Sequence, residues 1–397
     1  MKFQISNPRS QISVPDIKLI RRDPKDQEQE QEQNQNQDQD QRTKKKTRNL
    51  DQLLNPKVST ERYSRQILFN GIGQEGQRRL LASRAAIIGC GALGSAQAEA
   101  LARAGVGTLR IIDRDFVETS NLQRQTMFTE HDAKERVPKA IAAANHIGEI
   151  NSEVRTEPQI LDVNHTNIER LIDQCDVVLD GTDNFATRYL INDACIKHQV
   201  NWIYGAAVGS YGVSMTIRPA RTPCLRCVFE EAPPAASAPT CDTAGVIMPI
   251  INLVAAVQVT EALKLLTGQL AQLHNSLMQF DVWRNEWRKI NPGSPSPDCA
   301  TCGLRRFETL EPVTEDFAAI LCGRNAVQIS PTRPTQVDFG ALAERLQGAG
   351  DVKFNDYLLR FRAGDYELTI FQDARSIIRG TDEISTARSL YAKYIGN

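Results

Sequence analysis

The chain has 397 residues, with 47 Lys and Arg balanced by 48 Asp and Glu and a formal net charge of −1. This balance gives no electrostatic reason to expect nucleic acid as a partner. No apolar run approaches the roughly 20 residues that a membrane-spanning helix requires, so we expect no membrane association. The N-terminus has neither an apolar signal segment nor the composition of a transit peptide. Nine cysteines, four of them in metal-type pairs, indicate a reducing compartment, and we expect a cytoplasmic protein.

Residues 1–55 are predicted to be a disordered polar tail. From about Asp23 to Lys46 nearly every residue is Gln, Glu, Asn, Asp or Lys, and no apolar side chain is available to bury. A specific partner-binding tract is the alternative interpretation. We expect ordered structure to begin near Pro56.

Residues 56–303 show the alternation of strands and helices that is typical of a parallel sheet with covering helices. We therefore predict an α/β fold with a Rossmann-like, mainly parallel sheet and flanking helices. The predicted strands lie at residues 85–88, 109–112, 154–160, 177–180 and 202–204. The predicted helices lie at residues 62–68, 77–81, 95–104, 139–147, 168–175 and 186–198. Gly71 and Gly73 are predicted to break the first of them.

The pattern changes after Tyr204. Three further segments are predicted to be antiparallel strands that extend the sheet, at residues 212–218, 277–283 and 287–290. Between the first and second of these, residues 247–266 form a long apolar helix. It carries no charge before Glu261, which indicates burial in the core or against a second subunit.

Residues 304–397 are predicted to be a small α+β domain that follows the sheet. Two strands, at residues 357–361 and 366–371, are joined by a turn at Gly364-Asp365, and a helix follows at residues 384–394.

A glycine-rich turn, Gly89-Cys90-Gly91-Ala92-Leu93-Gly94, lies between a predicted strand and a predicted helix. Glycines let the backbone approach phosphate oxygens, and the helix N-terminus supplies N–H donors. Asp113 ends the next strand, at the usual distance for a carboxylate that binds a ribose hydroxyl. These features predict a nucleotide site but do not distinguish NAD from ATP.

The residues that follow favour ATP. Amides and a guanidinium cluster in Ser120-Asn121-Leu122-Gln123-Arg124-Gln125, and Lys139 comes shortly after. Nucleotidyl transfer needs such groups because negative charge must be neutralised on phosphate oxygens. Asp180-Gly181-Thr182-Asp183-Asn184 follows a short strand, so either aspartate is a candidate ligand of Mg²⁺. A turn with a helix cap at residues 182–184 is the competing interpretation, and both roles can coexist.

Two cysteine pairs, Cys224-Leu-Arg-Cys227 and Cys299-Ala-Thr-Cys302, have the spacing of zinc ligands. Four thiolates leave no open coordination position, so the ion is predicted to be structural. Chance spacing of buried thiols is the alternative, and two such pairs make it improbable.

These motifs, together with Arg62-Tyr63-Ser64-Arg65-Gln66, occur in an order that closely resembles the MoeB/ThiF/HesA family of bacterial adenylating enzymes, relatives of the ubiquitin-activating enzymes. The resemblance covers about Thr60 to Gly303. It implies adenylation of the C-terminal glycine of a ubiquitin-fold sulfur carrier that ends in Gly-Gly, and a homodimer with a structural zinc in each subunit. ATP, Mg²⁺ and Zn²⁺ are the implied cofactors, and a cysteine desulfurase is a candidate partner.

The resemblance also implies roles for particular residues. Gly89, Gly91 and Gly94 lie against the nucleotide, Asp113 holds its ribose, Asn121, Arg124 and Lys139 hold phosphate oxygens, and Asp183 positions Mg²⁺. Arg65 reaches the site of the other subunit. Cys241 attacks the acyl-adenylate or carries sulfur, with an inert loop cysteine as the alternative. One departure concerns Lys139: the segment Thr129–Arg136 is slightly longer than the family pattern, and Val137 replaces a usual glutamine.

The predicted function is therefore ATP-dependent adenylation of a sulfur carrier with release of pyrophosphate, in thiamin thiazole or molybdopterin synthesis. Two alternatives remain at this point. An NAD-dependent oxidoreductase would explain Gly89–Gly94 and Asp113 but gives Arg124, Asp183 and the cysteine pairs no role. A non-catalytic scaffold that binds a ubiquitin-fold partner would not need Arg124, Lys139 and Asp183 together.

Overall fold

The structure is a computed structural model that describes residues 61–231, 244–311, 318–321, 325–331 and 336–396. The predicted tail, residues 1–55, lies outside the described residues, and so does Cys241. The prediction that the chain divides into domains at Gly303 stays a prediction.

The first sheet has eight strands in the order β3-β2-β1-β4-β5-β6-β7-β8. The first five in this order run parallel, and β6, β7 and β8 are joined antiparallel to the edge that β5 provides. The Rossmann-like sheet with an antiparallel extension is thus confirmed. The strands are β1 Arg84–Ile88, β2 Thr108–Asp113, β3 Arg155–Ile160, β4 Val177–Asp180, β5 Asn201–Val208, β6 Tyr211–Ile217, β7 Leu277–Asp281 and β8 Glu286–Ile290.

Helices cover both faces of this sheet because its central strands are apolar on both sides. In β1, Ile87 belongs to one buried cluster and Ile88 to another, as alternation along a strand requires. The helices are Ser64–Ile67, Gly73–Leu81, Ala92–Ala104, Glu130–Glu135, Lys139–Ile150, Ile168–Ile172, Phe185–Lys197, Leu225–Val228 and Met248–Thr267, with 3-10 turns at Thr119–Asn121 and Leu270–Gln272.

Several predicted boundaries were wrong. Gly73 does not break a helix but begins one, Gly73–Leu81, with a φ of +62° that suits glycine. The preceding helix is only Ser64–Ile67. The helix predicted at residues 168–175 ends at Ile172, because Asp173 leaves the helical conformation with ψ 137°.

The helix Met248–Thr267 corrects the statement that no apolar run is long enough to cross a membrane. By length and composition it could do so, but 56% of its apolar window is buried inside the fold. Gln258, on this helix, donates to the carbonyls of Asp180 and Ile203, and Glu261 accepts from the Thr216 hydroxyl. Buried polar bonds to the sheet identify it as a core helix of this fold.

The second sheet is antiparallel, with six strands in the order β11-β12-β13-β14-β10-β9. Two helices, Phe339–Leu346 and Ile384–Tyr394, share one apolar core with it, so the predicted α+β character is confirmed. Four of its strands, each four residues long, were not predicted from the sequence. The strands are β9 Ala318–Leu321, β10 Ala326–Ile329, β11 Asp351–Phe354, β12 Leu358–Ala363, β13 Tyr366–Phe371 and β14 Ser376–Arg379.

Candidate nucleotide-binding site and cysteine cluster

The glycine turn joins β1 to the helix Ala92–Ala104, as predicted, and its glycines differ in their surroundings. Gly89 has a φ of +86°, and a Cβ at Gly94 would lie 1.8 Å from the Gly89 carbonyl oxygen. A Cβ at Gly91 would meet only Gln125 Nε2, at 3.9 Å. Packing therefore requires glycine at two of the positions, whereas Gly91 leaves an open approach to the N-terminus of the helix, where anions are stabilised.

Asp113 lies against this turn at the end of β2. Its carboxylate accepts the Cys90 N–H at 2.6 Å through Oδ2 and the Asp115 N–H at 2.7 Å through Oδ1. Burial raises the pKa of Asp113, and the nearby Lys139 cation opposes that rise. The carboxylate thus fixes two loops at the position where a ribose contact was predicted.

Lys139 lies beside the same loop. It is the first residue of Lys139–Ile150 and is 4% exposed. Its N–H donates to the Asp115 carbonyl at 2.9 Å, and its Nζ lies 3.5 Å from Asp115 Oδ2. The structure therefore brings together Asp113 and Lys139, which are 26 positions apart in the chain.

Asn121 and Arg124 lie on the connection between β2 and Lys139. Asn121 is buried in the 3-10 turn Thr119–Asn121, where the Glu118 carboxylate caps the turn and the Asn121 side chain accepts the Glu118 N–H. Arg124 is half-buried and donates to the Ser120 carbonyl at 2.9 Å. Their predicted contacts with phosphate stay predictions.

The two aspartates after β4 have different environments. Asp180 is fully buried, accepts the Thr182 N–H and hydroxyl, and pairs with Arg188 Nε at 3.2 Å. Asp183 is exposed. Asn184 caps the next helix by accepting the Thr187 N–H, so the cap interpretation also holds at this turn. Asp180 is committed to internal bonds, which leaves Asp183 as the candidate ligand of Mg²⁺.

Arg114, directly after β2, interacts electrostatically with a carboxylate that follows β4. Burial works against its charge, but Asp162, Asp115 and Asp183 together raise the pKa of Arg114. Since Asp115 follows β2 and Asp183 follows β4, the two loops approach each other across the end of β1, which lies between these strands. This is the crevice where an open parallel sheet binds its ligand.

Arg188 is a residue of the site that sequence reasoning missed. Its guanidinium is buried, pairs with Asp180 and donates from Nη2 to the Thr182 carbonyl at 2.7 Å. It also lies 5.5 Å from the centre of the Tyr204 ring. A charged side chain in the first turn of the helix Phe185–Lys197, eight positions after Asp180, is the signal that could have revealed it.

Arg65 lies away from these groups of its own subunit. Its neighbour Gln66 donates to the carbonyl of Ala104, at the C-terminal end of the helix Ala92–Ala104. The glycine turn is at the other end of this 13-residue helix, about 18 Å away at 1.5 Å per residue. Arg65 is exposed.

The two cysteine pairs meet in one cluster. Cys224 Sγ lies 3.6 Å from Cys299 Sγ, Cys227 Sγ lies 3.3 Å from Cys302 Sγ, and all four sulfurs lie within 4.8 Å of one another. Hydrogen bonds from Cys224 and Cys302 hold the pKa of the Cys227 thiol well below its usual range. Four converging thiols of which one ionises readily could hold a metal ion.

Neighbouring polar residues fix both knuckles. Asn192 accepts the Leu225 N–H at 2.9 Å, and Asp193 accepts the Thr301 hydroxyl at 2.7 Å. Both acceptors lie on the buried face of Phe185–Lys197. The cluster is therefore attached to the helix that follows the Asp180–Asn184 turn.

The sheet, the glycine turn and the polar groups at the ends of β2 and β4 define a nucleotide-binding α/β protein, and the cysteine cluster sets it apart from a plain dinucleotide-binding fold. Residues 63–301, more than half of the chain, match the sequence profile of the ThiF family. The chain belongs to the ThiF family, which confirms the resemblance found in the sequence.

Similarity to individual relatives supports this assignment. The chain is 46% identical over 339 residues to the "Sulfur carrier protein ThiS adenylyltransferase" of Bacillus subtilis, covering 85% of this chain and 100% of the relative. It is 38% identical to the "SAMP-activating enzyme E1" of Haloferax volcanii, covering 64% of this chain and 92% of the relative. Its fold is similar to that of E. coli MccB crystallised with ATP, with a TM-score of 0.54, 22% identity and coverage of 61% of this chain and 74% of that one.

Proposed function

We propose that this protein uses ATP to adenylate the C-terminal glycine carboxylate of a ubiquitin-fold sulfur carrier and releases pyrophosphate. The observation that carries the proposal is the match to the Bacillus ThiS adenylyltransferase over that relative's whole length. The grouping of Asp113, Lys139 and Asp183 at the ends of parallel strands supports it, because these residue types suit a ribose, a phosphate chain and its metal ion.

In the proposed reaction the carrier's carboxylate oxygen attacks the α-phosphorus in line, the bond to the bridging oxygen breaks, and pyrophosphate leaves with that electron pair. A carboxyl–AMP mixed anhydride remains. The attacking carboxylate is already ionised at pH 7, so no general base is needed. Asp113 orients the ribose, while Lys139, Arg124 and Asn121 neutralise and orient phosphate oxygens, and positioning supplies most of the catalysis.

Asp183 would hold Mg²⁺. When bound, the ion would neutralise charge on the phosphate oxygens. The fit rests on the exposed Asp183 carboxylate beside a fully committed Asp180. ATP is preferred to NAD as the bound nucleotide because hydride transfer would give neither Asp183 nor Lys139 a function.

The cysteine cluster is proposed to bind a structural Zn²⁺. Zn–S bonds of about 2.3 Å in a tetrahedron place sulfurs about 3.8 Å apart. The observed sulfur–sulfur separations of 3.3, 3.6 and 3.9 Å bracket that value. Cys224 and Cys299 are buried, so the ion would be shielded from solvent and from substrate.

A homodimer in which Arg65 enters the partner's site is proposed on geometry. Arg65 is exposed, and its helix is attached to the far end of Ala92–Ala104 from the glycine turn. Its neighbours Leu68 and Phe69 are 70% and 65% exposed, as expected of residues that a second subunit would cover.

The carrier is proposed to be of the ThiS type, which serves the thiamin thiazole branch, with the molybdopterin carrier as the alternative. The decisive experiment is exchange of labelled pyrophosphate into ATP, with each purified carrier ending in Gly-Gly added in turn. Exchange with the ThiS-type carrier is expected. Exchange with the molybdopterin carrier instead would change the branch, and no exchange with either carrier would contradict adenylation.

Cys241 is proposed to act after adenylation, together with a cysteine desulfurase as the source of sulfur. Cys241→Ala should leave carrier-dependent pyrophosphate exchange unchanged and should weaken sulfur transfer to the carrier, measured by mass spectrometry of its C-terminus. Loss of the exchange itself in this variant would contradict the division of labour. The cytoplasmic location stays a prediction.

A further inference from the structure

The C-terminal unit, defined here as residues 325–331 and 336–396, packs against the segments that carry the predicted nucleotide-binding residues. Phe116, two positions after Arg114, lies in a buried apolar cluster with Ala326, Leu358, Phe371 and Ile377 of that unit. A small, shallow cleft has Lys139 and Asp115 on one wall and Ile377 and Arg379 on the other. The unit thus adjoins the candidate site directly.

Arg375 makes the most unusual of these contacts. It lies in the turn between β13 and β14, is only 2% exposed, and packs over the Phe371 ring at 3.7 Å. Its Nη2 donates to the Arg114 carbonyl at 3.0 Å, while Nε and Nη1 have no hydrogen-bond partner among the described residues. The nearest paired carboxylate, Asp373, is 3.8 Å away and is about half exposed to solvent. Burying a cation with so few partners is unfavourable.

The bond from Arg375 reaches Asp113 through one peptide group. The Arg114 carbonyl and the Asp115 N–H belong to the same planar peptide unit. Arg375 holds the carbonyl side, and the Asp113 carboxylate accepts the N–H on the other side at 2.7 Å. Fixing this plane therefore fixes the carboxylate that is proposed to bind the ribose.

Two further contacts hold neighbouring parts of the site. Gln328 donates to Asp162 Oδ2 at 2.6 Å, and Oδ1 of the same carboxylate pairs with the Arg114 guanidinium at 2.9 Å. Arg379 pairs with Glu118, whose carboxylate caps the turn that carries Asn121. The C-terminal unit thus contacts the Arg114 backbone directly and the Arg114 side chain through Asp162, and it also contacts the cap of the Asn121 turn.

The segment Thr129–Arg136, which is slightly longer than the family pattern, also contacts the C-terminal unit. Residues 129–136 contain the helix Glu130–Glu135, and Asn355 donates to its Glu135 carbonyl at 3.3 Å. Arg136, in the left-handed conformation with φ +50°, lies 3.6 Å from Glu367. The connection that leads to Lys139 is therefore supported by β13 and its neighbours.

We propose that the C-terminal unit positions the adenylation site, with Arg375 as the positioning residue for the Asp113–Asp115 loop. The inference rests on the proposed function, because the site in question is the ATP site. Arg375 touches no predicted substrate group and acts through the Arg114–Asp115 peptide. Small displacements of binding groups weaken catalysis strongly, so holding the Asp113–Asp115 loop in place would raise the rate of adenylation.

The test compares Arg375→Met, Arg375→Lys and Arg345→Ala in the full-length protein. Arg345 is the matched control, because its guanidinium also donates to backbone carbonyls, those of Tyr394 and Ile395, within the C-terminal unit. Hydrogen exchange without nucleotide should be about tenfold faster at the Cys90 and Asp115 amides in Arg375→Met, since their shared acceptor is less well fixed. Arg345→Ala should leave both amides at the wild-type rate.

Binding of ATP with magnesium, measured by calorimetry, supplies the second readout. Arg375→Met should weaken it about tenfold, the value of one hydrogen bond, and Arg375→Lys should recover most of the loss. Wild-type exchange at both amides in a folded Arg375→Met, or equal weakening by Arg345→Ala, would overturn the proposal.

If Arg375→Met does not fold, Arg379→Gln supplies the same comparison at the Asn121 turn. Its side chain is one-third exposed, so its loss should be tolerated. The Asn121 amide donates to the Glu118 carbonyl at 2.9 Å within the turn that the Glu118 carboxylate caps. It should then exchange faster, and an unchanged rate would overturn the proposal. A wild-type protein that binds no ATP would sink the proposed function, whereas the exchange experiments decide the positioning role on their own.

Discussion

Asp180 is the last residue of β4 and Asp183 lies three positions beyond it, and their surroundings give them different roles. Asp180 is buried, and burial raises its pKa against the opposing effect of Arg188, with which it is paired. Asp183 is exposed at the mouth of the crevice. At the scale of single residues, solvent access separates a structural carboxylate from one that can bind a metal ion.

Asp183→Asn should therefore lower the rate of carrier-dependent pyrophosphate exchange by on the order of 100-fold, because the proposed ligand of the metal ion loses its negative charge. Its melting temperature should stay near the wild-type value. Asp365→Asn, an exposed aspartate in the turn between β12 and β13, is the control and should behave as wild type. An Asp183→Asn protein with full exchange would exclude Asp183 from the site.

Asp180→Asn should fail in a different way. It leaves the buried Arg188 cation without its carboxylate, which costs about 3–5 kcal/mol. The thermal unfolding temperature should fall clearly, and calorimetric scanning measures it. A variant as stable as the wild type would contradict the structural role assigned to Asp180.

At the scale of elements, the β1–helix junction shows that one glycine motif serves two purposes. Gly94 is needed because its Cα passes next to the Gly89 carbonyl, whereas Gly91 meets no such obstacle. The first requirement concerns folding, and the second concerns what approaches the helix N-terminus from outside.

Substituting each glycine by alanine should separate the two requirements. Gly94→Ala places a Cβ 1.8 Å from a backbone oxygen and should cost about 1–3 kcal/mol or more in unfolding free energy. Gly91→Ala should lose less stability but bind ATP more weakly, because its methyl group lies at the phosphate approach. Denaturant titration and calorimetry measure the two effects, and equal losses of stability would contradict the distinction.

The cysteine cluster joins two distant knuckles to the helix Phe185–Lys197. Cys299→Ser should release the proposed Zn²⁺, measured by metal analysis of the purified protein, and should lower the melting temperature, since a structural metal ion contributes directly to folding. Cys175→Ala is the control, because this buried thiol lies outside the cluster. Wild-type protein without zinc and with these cysteines oxidised would remove the proposal.

At the scale of the whole molecule, the active unit is proposed to be a dimer because Arg65 lies far from its own glycine turn. Arg65→Ala and Asp183→Asn should each have only a small fraction of wild-type activity alone. When they are mixed and allowed to exchange subunits, half of the dimers are mixed and each has one complete site, so activity should return to about a quarter of wild type. No recovery would contradict a site shared between subunits.

Much of the fold could be predicted from local sequence, because the period of the apolar residues reports directly on strands and helices. Thus β1, β2 and β4, the helix Phe185–Lys197 and the C-terminal β12–β13 hairpin were located to within a few residues. The strands β11 and β14 are as short as β4, but each contains two polar residues, whereas β4 contains the apolar run Val177-Val178-Leu179. Their pattern was therefore too weak to distinguish a strand from a loop.

The sequence by itself determined the family, the glycine turn and the pairing of the cysteines into one cluster, because in each case the chemistry depends on residue type and spacing along the chain. Only the tertiary structure showed that Asp180 is buried and paired with Arg188. It alone also showed that Arg375 donates to the Arg114 carbonyl, 261 positions away in the chain. These depend on burial and on contacts between distant segments. Burial of a polar residue and contacts between distant segments produce no periodic pattern in the sequence, because a buried arginine and an exposed one are written with the same letter.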